Sequence, residues 1–452
     1  MNAAAAPTTI SPTTTAEAQR GHIGLVVLAS ITSGLAIGLL LVLGVFAGGA
    51  EPQIIGSALV GLGTGFALLA ITSTRRTSQP QQWALVPGVA TTVAGVGVLL
   101  LAPGQRLLDL AGWVWPVLLA ILVISSFRGA RRSLHNWSRR ALLYPALTVL
   151  SLLALSGAVG TVMASTSSDP TPTSGSTYFA NGHRLYLNCV GSGSPAVVLF
   201  SGLGEWTPNW AWVQANVSAK TRVCTFDRAG EGWSGGNAVR EDGHQLAADL
   251  HALLQAAHVS GPYVLAGHSV GGTYALVYAA RYPRQVAGVA LIDSATPYQF
   301  DLPDYPSFYS MWTRGSALLP AASRTVIGRM ALRSGFGSLP PGARDAARAF
   351  NSSPRQLTAS RIEFLQLPTV FNQAKTLRSL HGKPLAVLTA GVGEVRGWAV
   401  AQDKLARLST NSTHHTVTGA THEALLEDKT FARATSRGIT EVVRRARAEQ
   451  VG

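Results

Sequence analysis

The distribution of apolar residues divides the chain near residue 165. Ahead of that point five long uncharged runs follow one another, at Ile23 to Ala47, Ile54 to Ile71, Trp83 to Leu101, Leu110 to Phe127 and Ala141 to Met163. Each approaches the roughly 20 residues a helix needs to cross a bilayer. The first run is too long for the apolar core of a cleaved signal peptide and has successors, so the pattern predicts a five-helix transmembrane region over residues 1–164. Ser165 to Ser176 (STSSDPTPTSGS) is too poor in apolar side chains to bury a core and reads as a flexible linker over 165–176. From 177 to 452 the apolar runs shorten to strand length, as at Ala196 to Phe200, Val286 to Ile292 and Pro384 to Thr389, with a helix-like stretch at Thr273 to Arg281.

Basic residues orient the spans. Arg20 precedes the first, Arg75 and Arg76 follow the second, and Arg128, Arg131, Arg132, Arg139 and Arg140 follow the fourth, which places those segments in the cytoplasm. An odd number of spans then delivers residues 177–452 to the extracytoplasmic side of the cell membrane. The spans lack ionisable groups, which argues against a proton- or ion-coupled transporter and leaves anchoring in the lipid bilayer as the simpler role. The pairs Gly34 with Gly38 and Gly61 with Gly65 permit close helix contact and so suggest self-association.

Candidate chemistry centres on Ser269. In Tyr263 to Gly272 (YVLAGHSVGG) a strand-like stretch feeds the pentapeptide GHSVG and a helix-like stretch leaves it, the pattern of a nucleophile elbow. A serine hydroxyl attacks well only when it is lifted off the sheet edge, exposed to a base and set beside free helix amides. Upstream, a second glycine-bearing turn, Ser201-Gly202-Leu203-Gly204, follows the run ending at Phe200. Between the two lies Arg222 to Ser234 (RVCTFDRAGEGWS), in which Gly230 and Gly232 allow a tight bend and Asp227 is read as structural, bonding neighbouring amides or pairing with Arg228.

These stretches resemble the α/β-hydrolase family, in its serine hydrolase branch, from about Ser176 to the end of the chain. The resemblance implies an α/β fold, a doubly wound and mostly parallel sheet with a helical cap inserted at about 297–383. It implies an oxyanion hole from the backbone amides of Leu203 and Val270, and a triad in the order serine, acid, histidine. His422, in Gly419-Ala420-Thr421-His422, is the base; His268 holds the variable position of the pentapeptide and should point away from the site. The acid is Glu394, after the probable seventh strand, with Asp293 as the alternative at the end of the preceding one. Cys189 and Cys224 fall in stretches resembling the second and fourth strands, which neighbour each other in the family, so a disulfide between them is expected. Trp312, Phe308 and Tyr309 fall in the cap, as pocket lining or buried core.

The resulting expectation is a carboxylic ester hydrolase acting on a small-molecule ester or lipid through an acyl-serine intermediate. A serine nucleophile disfavours the dehalogenase and epoxide-hydrolase branches. The alternatives are an aminopeptidase or amidase of the same fold, with Glu205 binding a substrate amine, or a catalytically silent membrane-anchored binding module. The net charge of +14 is spread over both parts of the chain without a recognition motif, so nucleic acid is not expected as a partner. No cofactor is expected, and no metal, because no zinc-type cluster is visible.

Overall fold

The computed structural model describes residues 22–134, 143–166, 170–236, 240–393 and 395–451. The chain divides after Thr161 into two compact units.

In the first unit the apolar runs become helices: α1 (Ile23–Leu40, continued by a π-helical turn at Leu41–Val45), α2 (Glu51–Arg76), α3 (Leu85–Leu101), α4 (Gln105–Ala111), α5 (Trp115–Ser133) and α6 (Tyr144–Thr166), which runs on across the division. Four stretches, Ile23–Val45, Glu51–Arg76, Gln82–Leu101 and Tyr144–Thr166, are long and apolar enough to cross a membrane. The fourth run expected from the sequence is not one straight helix. It is shared between α4 and α5, which meet at a bend of 43° and make a fifth span only if the pair is counted together. The chain leaves α4 at Gly112 and restarts with Pro116 in the first turn of α5, where a missing N–H costs nothing.

Close helix contact is realised inside the chain. A Cβ on Gly61 would lie 2.7 Å from Gly38 Cα and 2.8 Å from Gly34 O, and one on Gly34 would lie 2.8 Å from Gly65 Cα. The four glycines of the two pairs therefore form one seam between α1 and α2. On its other side α2 meets α3 in the same manner, Gly56 against Gly95 and Gly63 against Gly88. In lipid, helices associate through van der Waals packing of small residues, since lipid tails are as apolar as leucine.

The second unit is built on an eight-stranded sheet of order β1-β2-β4-β3-β5-β6-β7-β8. The strands are β1 (Ser176–Ala180), β2 (His183–Val190), β3 (Val197–Phe200), β4 (Val223–Phe226), β5 (Tyr263–His268), β6 (Val286–Ile292), β7 (Leu385–Ala390) and β8 (Ser412–Val417). β2 runs antiparallel to β1 and β4, and the remaining pairings are parallel. The central strands are buried on both sides, as short apolar runs without alternation require of a sheet covered by helices on both faces.

One face carries α7 (Ala211–Ser218) against Val197, Leu199, Val264 and Ala266. The other carries α8 (Gly243–Ala256) and α9 (Val270–Arg281) against Val198, Phe200 and Leu265. Between β6 and β7 the cap adds α10 (Tyr305–Gly315), α11 (Leu319–Ser323), α12 (Val326–Leu332), α13 (Pro341–Asn351) and α14 (Pro354–Ala374). The chain closes with α15 (Trp398–Ala406), α16 (Ala424–Glu427) and α17 (Lys429–Val451), the last packing beside α7.

Cys189 on β2 and Cys224 on β4 stand opposite each other in register and are joined by a disulfide. The described part of the expected flexible linker is held on the sheet rather than free. The Trp233 indole N–H donates to the Pro170 carbonyl and the Tyr186 hydroxyl to the Ser174 carbonyl, with the two rings 5.0 Å apart. A tryptophan and a tyrosine with one polar tip each supply what the Ser/Thr/Pro stretch lacks: apolar area and fixed donors.

The glycine seam makes a direct prediction. Replacing Gly61 by leucine should force α1 from α2 and lower stability by about 1–3 kcal/mol, the usual cost of overpacking a tight contact. Thermal unfolding of the detergent-solubilised chain measures it, and an unchanged midpoint would contradict the seam.

Candidate active site

Three loops at the carboxyl ends of β3, β5 and β6, with a fourth after β8, converge at Ser269. This serine joins β5 to α9 with φ 54° and ψ −128°, a region that non-glycine side chains occupy only under constraint. The constraint is visible: the Ser269 N–H donates to Ile292 O at 3.1 Å, and the Ser269 carbonyl accepts from Ala295 N at 2.9 Å. The flanking glycines have no room for a side chain. A Cβ on Gly267 would lie 2.4 Å from Gly272 N, and one on Gly271 2.2 Å from Phe200 O. Val270 opens α9, so its amide is among the first-turn donors with no intrahelical acceptor, at the positive end of the helix dipole.

The turn after β3 lies against the serine, since a Cβ on Gly202 would stand 3.0 Å from Ser269 Cβ. Arg228 fixes this turn from beneath. It is buried, and its Nη1 donates to Ser201 O at 2.8 Å and its Nη2 to Gly202 O at 2.9 Å. In a trans peptide the C=O of one residue and the N–H of the next point in opposite directions. Holding Gly202 O on the guanidinium therefore turns the Leu203 N–H away from it. Arg228 is itself paired with Glu231 at 2.9 Å and with Glu363 of α14 at 3.1 Å. Burial raises the Glu363 carboxyl well above the usual range, despite Arg228 beside it, and favours its protonated form.

Asp227 bonds amides and does not pair with Arg228. It accepts from Thr207 N at 2.8 Å and Trp233 N at 2.9 Å, and burial pushes its pKa up to about 6 against those bonds. It ties the end of the oxyanion-type turn to its own bend, where Gly232, at φ 50°, could not carry a Cβ without meeting Asp227 Oδ2 at 2.3 Å.

His422 lies in the turn after β8, and its Nδ1–H donates to Asp293 Oδ2 at 2.6 Å. Asp293 Oδ1 accepts from the Trp398 indole at 2.7 Å and from Ala390 N at 3.1 Å. Burial alone would raise this carboxyl; the bonds from His422, Trp398 and Ala390 outweigh it and hold the group below its ordinary value. This reverses the preference drawn from the sequence. The partner of His422 Nδ1 is Asp293, the alternative acid at the end of β6, while Glu394 lies outside the described residues. The end of β7 and the start of α15 still contribute, through the Ala390 amide and the Trp398 indole.

His268 does not point away from the site. It is fully buried, its ring centroid 4.3 Å from that of His422. Its Nε2 lies 3.0 Å from His422 O and its Nδ1 2.7 Å from Glu205 Oε1. A carbonyl can only accept, so Nε2 carries a proton. Burial lowers the imidazole's affinity for a second proton, but Glu205 and the bond to it raise the pKa above 6.5 overall. Glu205 moves the other way: burial raises it, and His268 together with the Gly202 amide bring it below 4.5. Both shifts run in the direction that favours a charged pair, imidazolium with carboxylate. The other Glu205 oxygen, Oε2, accepts from Gly202 N at 2.6 Å. The pair thus links the oxyanion-type turn, the elbow and the His422 turn. The signals were a histidine inside the pentapeptide and a glutamate three residues after Gly202, uninformative singly because their partners are distant in sequence.

Among the described residues one group could hold a cation, although none was expected: His183, Glu241 and Asp249, whose ligand atoms lie within 4.8 Å of one another. His183 Nε2 is 3.7 Å from Glu241 Oε1 and 3.6 Å from Asp249 Oδ2, beyond hydrogen-bond length. Burial and the adjacent Asp249 push Glu241 up to about 8, so a proton shared between the carboxyls accounts for their approach.

A sequence profile of the alpha/beta hydrolase fold matches residues 195–429. An uncharacterized protein of Schizosaccharomyces pombe is 30% identical over 228 residues, 48% of this chain and 40% of the relative. The uncharacterized protein YqjL of Bacillus subtilis is 30% identical over 105 residues, 23% of this chain and 42% of the relative. The chain thus spans about two fifths of the length of each of these curated relatives. Among solved structures, the Cif epoxide hydrolase of Acinetobacter nosocomialis has the same fold at 15% identity, with a TM-score of 0.53 over 64% of this chain and 96% of that one. With the profile covering more than half of its residues, the chain belongs to the alpha/beta hydrolase fold family.

Proposed function

We propose that the chain is a membrane-anchored serine hydrolase that cleaves a carboxylic ester through an acyl-serine intermediate, its catalytic unit on the extracytoplasmic side of the cell membrane. The observation that carries the reading is the Asp293–His422 bond at 2.6 Å beside a serine held at φ 54°. With Nδ1 committed to Asp293, Nε2 of His422 is the nitrogen free to take the proton from Ser269 Oγ as the oxygen attacks the ester carbonyl. The tetrahedral oxyanion is met by the amides of Leu203 and Val270, and the imidazolium returns its proton to the departing alcohol. Water then repeats the sequence on the acyl-serine.

Both Glu205 oxygens are engaged within the protein, which removes the argument for an amine-binding aminopeptidase. The location rests on two points. If α4 and α5 form one bent span, the count is odd and the basic loops stay inside. The disulfide also belongs to an oxidising compartment.

A fluorophosphonate probe should label the wild-type chain and fail to label Ser269→Ala; equal labelling of both would end the serine mechanism. Asp293→Asn should lower kcat by about 10⁴, the loss known when the carboxylate orienting a catalytic imidazole is replaced in a serine protease. Glu394→Gln should retain near-normal turnover, and the reverse outcome would restore Glu394 as the acid. p-Nitrophenyl esters serve as substrates for both.

Glu205→Gln should cost about 1–3 kcal/mol by removing the charge-assisted bonds to His268 and the Gly202 amide, and should reduce turnover as well. The sign of the pH dependence follows from the two shifts. Because the imidazole is raised above 6.5, its contribution is full below that value and is lost as pH rises through the folded pKa; because the carboxyl is depressed below 4.5, its contribution is lost as pH falls. The difference in melting temperature between wild type and Glu205→Gln should therefore peak between these limits and shrink on the alkaline side.

Protease added to intact cells should release fragments of the catalytic unit. Digestion seen only after permeabilisation would place it in the cytoplasm and leave four spans.

A further inference from the structure

Exposed apolar side chains occur in both units. In the cap, Tyr309 packs on Phe364, whereas Phe308 and Trp312 stack on each other at the surface instead of entering the core. In the first unit such side chains wall a groove of about 680 Å³ between α5 and α6. The two helices run antiparallel. At one end the Thr161 hydroxyl donates to Gly112 O at 3.1 Å, and at the other the Phe127 and Tyr144 rings stand 5.7 Å apart. α5 lines the groove with Ile124, Phe127, Arg128 and Arg131. α6 lines it with Tyr144, Leu147, Thr148 and Ser151. Both sets are spaced i, i+3, i+4, i+7, so each is one face of its helix and the two faces close on a single slot.

The slot is graded along its length. From Ile124 to Arg131 the α5 wall passes from apolar to basic over about 10 Å of helix. Arg131 is laid on that wall, its guanidinium 5.7 Å over the Phe127 ring. The charge at this end has one sign. Among the described residues of the first unit the carboxylates are Glu51 and Asp109. Glu51 opens α2 and accepts from Gln105 at 2.9 Å, and Asp109 lies in α4, so both belong to the end at which α5 begins. Topology asks that arginines stand on the cytoplasmic side; it does not ask that they crown an apolar slot.

That grading selects the occupant. A soluble anion would meet the arginines and leave Ile124 and Leu147 bare, while an apolar helix would do the reverse. A phospholipid of net negative charge meets both, with phosphate for guanidinium and an acyl chain for the deeper walls. Basic pockets between membrane helices on the cytoplasmic side hold such headgroups. We infer that the groove between α5 and α6 binds an anionic phospholipid of the cytoplasmic leaflet, its phosphate on Arg128 and Arg131 and one acyl chain along Ile124 and Leu147. The inference rests on the reading of the chain as membrane-anchored and goes beyond it by naming a lipid class and its site.

The test uses the full chain in vesicles of equal parts phosphatidylglycerol and phosphatidylcholine. Retention on floated vesicles at alkaline pH checks the anchoring first; a chain that washes off refutes the membrane reading itself. The retained chain is released into mild detergent, and native mass spectrometry counts its bound lipid. One phosphatidylglycerol per chain should remain in preference to phosphatidylcholine. Arg128→Gln should lower that preference about fivefold, the effect of one arginine near a charged headgroup, and Arg128→Lys should preserve it. Arg75 is exposed at the end of α2, which Gln81 and Ser133 tie to the end of α5, but it does not line the groove. Arg75→Gln should therefore change nothing, and a loss equal to that of Arg128→Gln would mean diffuse surface charge and overturn the site. Equal retention of the two lipids overturns it as well. Ile124→Trp, which fills the apolar half, should lower retention with both arginines intact; unchanged retention overturns the acyl-chain contact. Displacement of the lipid by glycerol 3-phosphate, or a lipid-free dimer, would replace the lipid by a soluble anion or a second copy.

Discussion

His268 makes two bonds, and each ends on a different loop of the site: on Glu205, which holds the Gly202 amide, and on the carbonyl of His422. Covalent attachment places the same ring next to Ser269. The backbones of the three loops are therefore referred to one buried imidazole ring, and a displacement of any of them stretches a buried hydrogen bond. In a low-dielectric interior such bonds are stiff, and an unmade one leaves an unsolvated charge. Geometry within a few tenths of an ångström, which the proposed acyl transfer would require of Ser269, His422 and the amides beside them, depends on that penalty.

Arg228 performs the complementary task from the opposite side. It fixes two carbonyls of the oxyanion-type turn and reaches Glu363 on α14, while Gln356 of the same helix accepts from Gly232 N at 2.9 Å. α14 thus belongs mechanically to the catalytic core although it is encoded within the cap insertion. The cap divides into a fixed helix tied to buried polar groups and outer helices that expose apolar side chains.

What could be read from the sequence was what is contiguous in it. The elbow announces itself through Gly267, Ser269 and Gly271 because steric exclusion acts between neighbours in the chain, and the long uncharged runs announce helices because a bilayer demands length. The identity of the imidazole's partner could not be read the same way. In the sequence Asp293 and Glu394 each come after one of two successive strand-like runs, so order along the chain does not choose between them; what marks Asp293 is that it receives the Trp398 indole and the Ala390 amide, a matter of packing. Glu205 and His268 are 63 residues apart, and neither hints at the other. The break between α4 and α5 was hidden because Gly112 and Pro116 are tolerated inside spans as well as between them. The linker composition indicated mobility, and the aromatic residues that hold it, Tyr186 and Trp233, belong to other segments.

The glycine seam between α1 and α2 has a consequence for how two copies of the chain could approach each other. The four glycines of that seam are already occupied within each chain. The outer surfaces of these helices present Leu25, Leu28, Leu35, Leu39 and Ile71, bulky side chains that acyl tails solvate as well as another helix does. The seam between α1 and α2 therefore offers a second copy no backbone approach of its own.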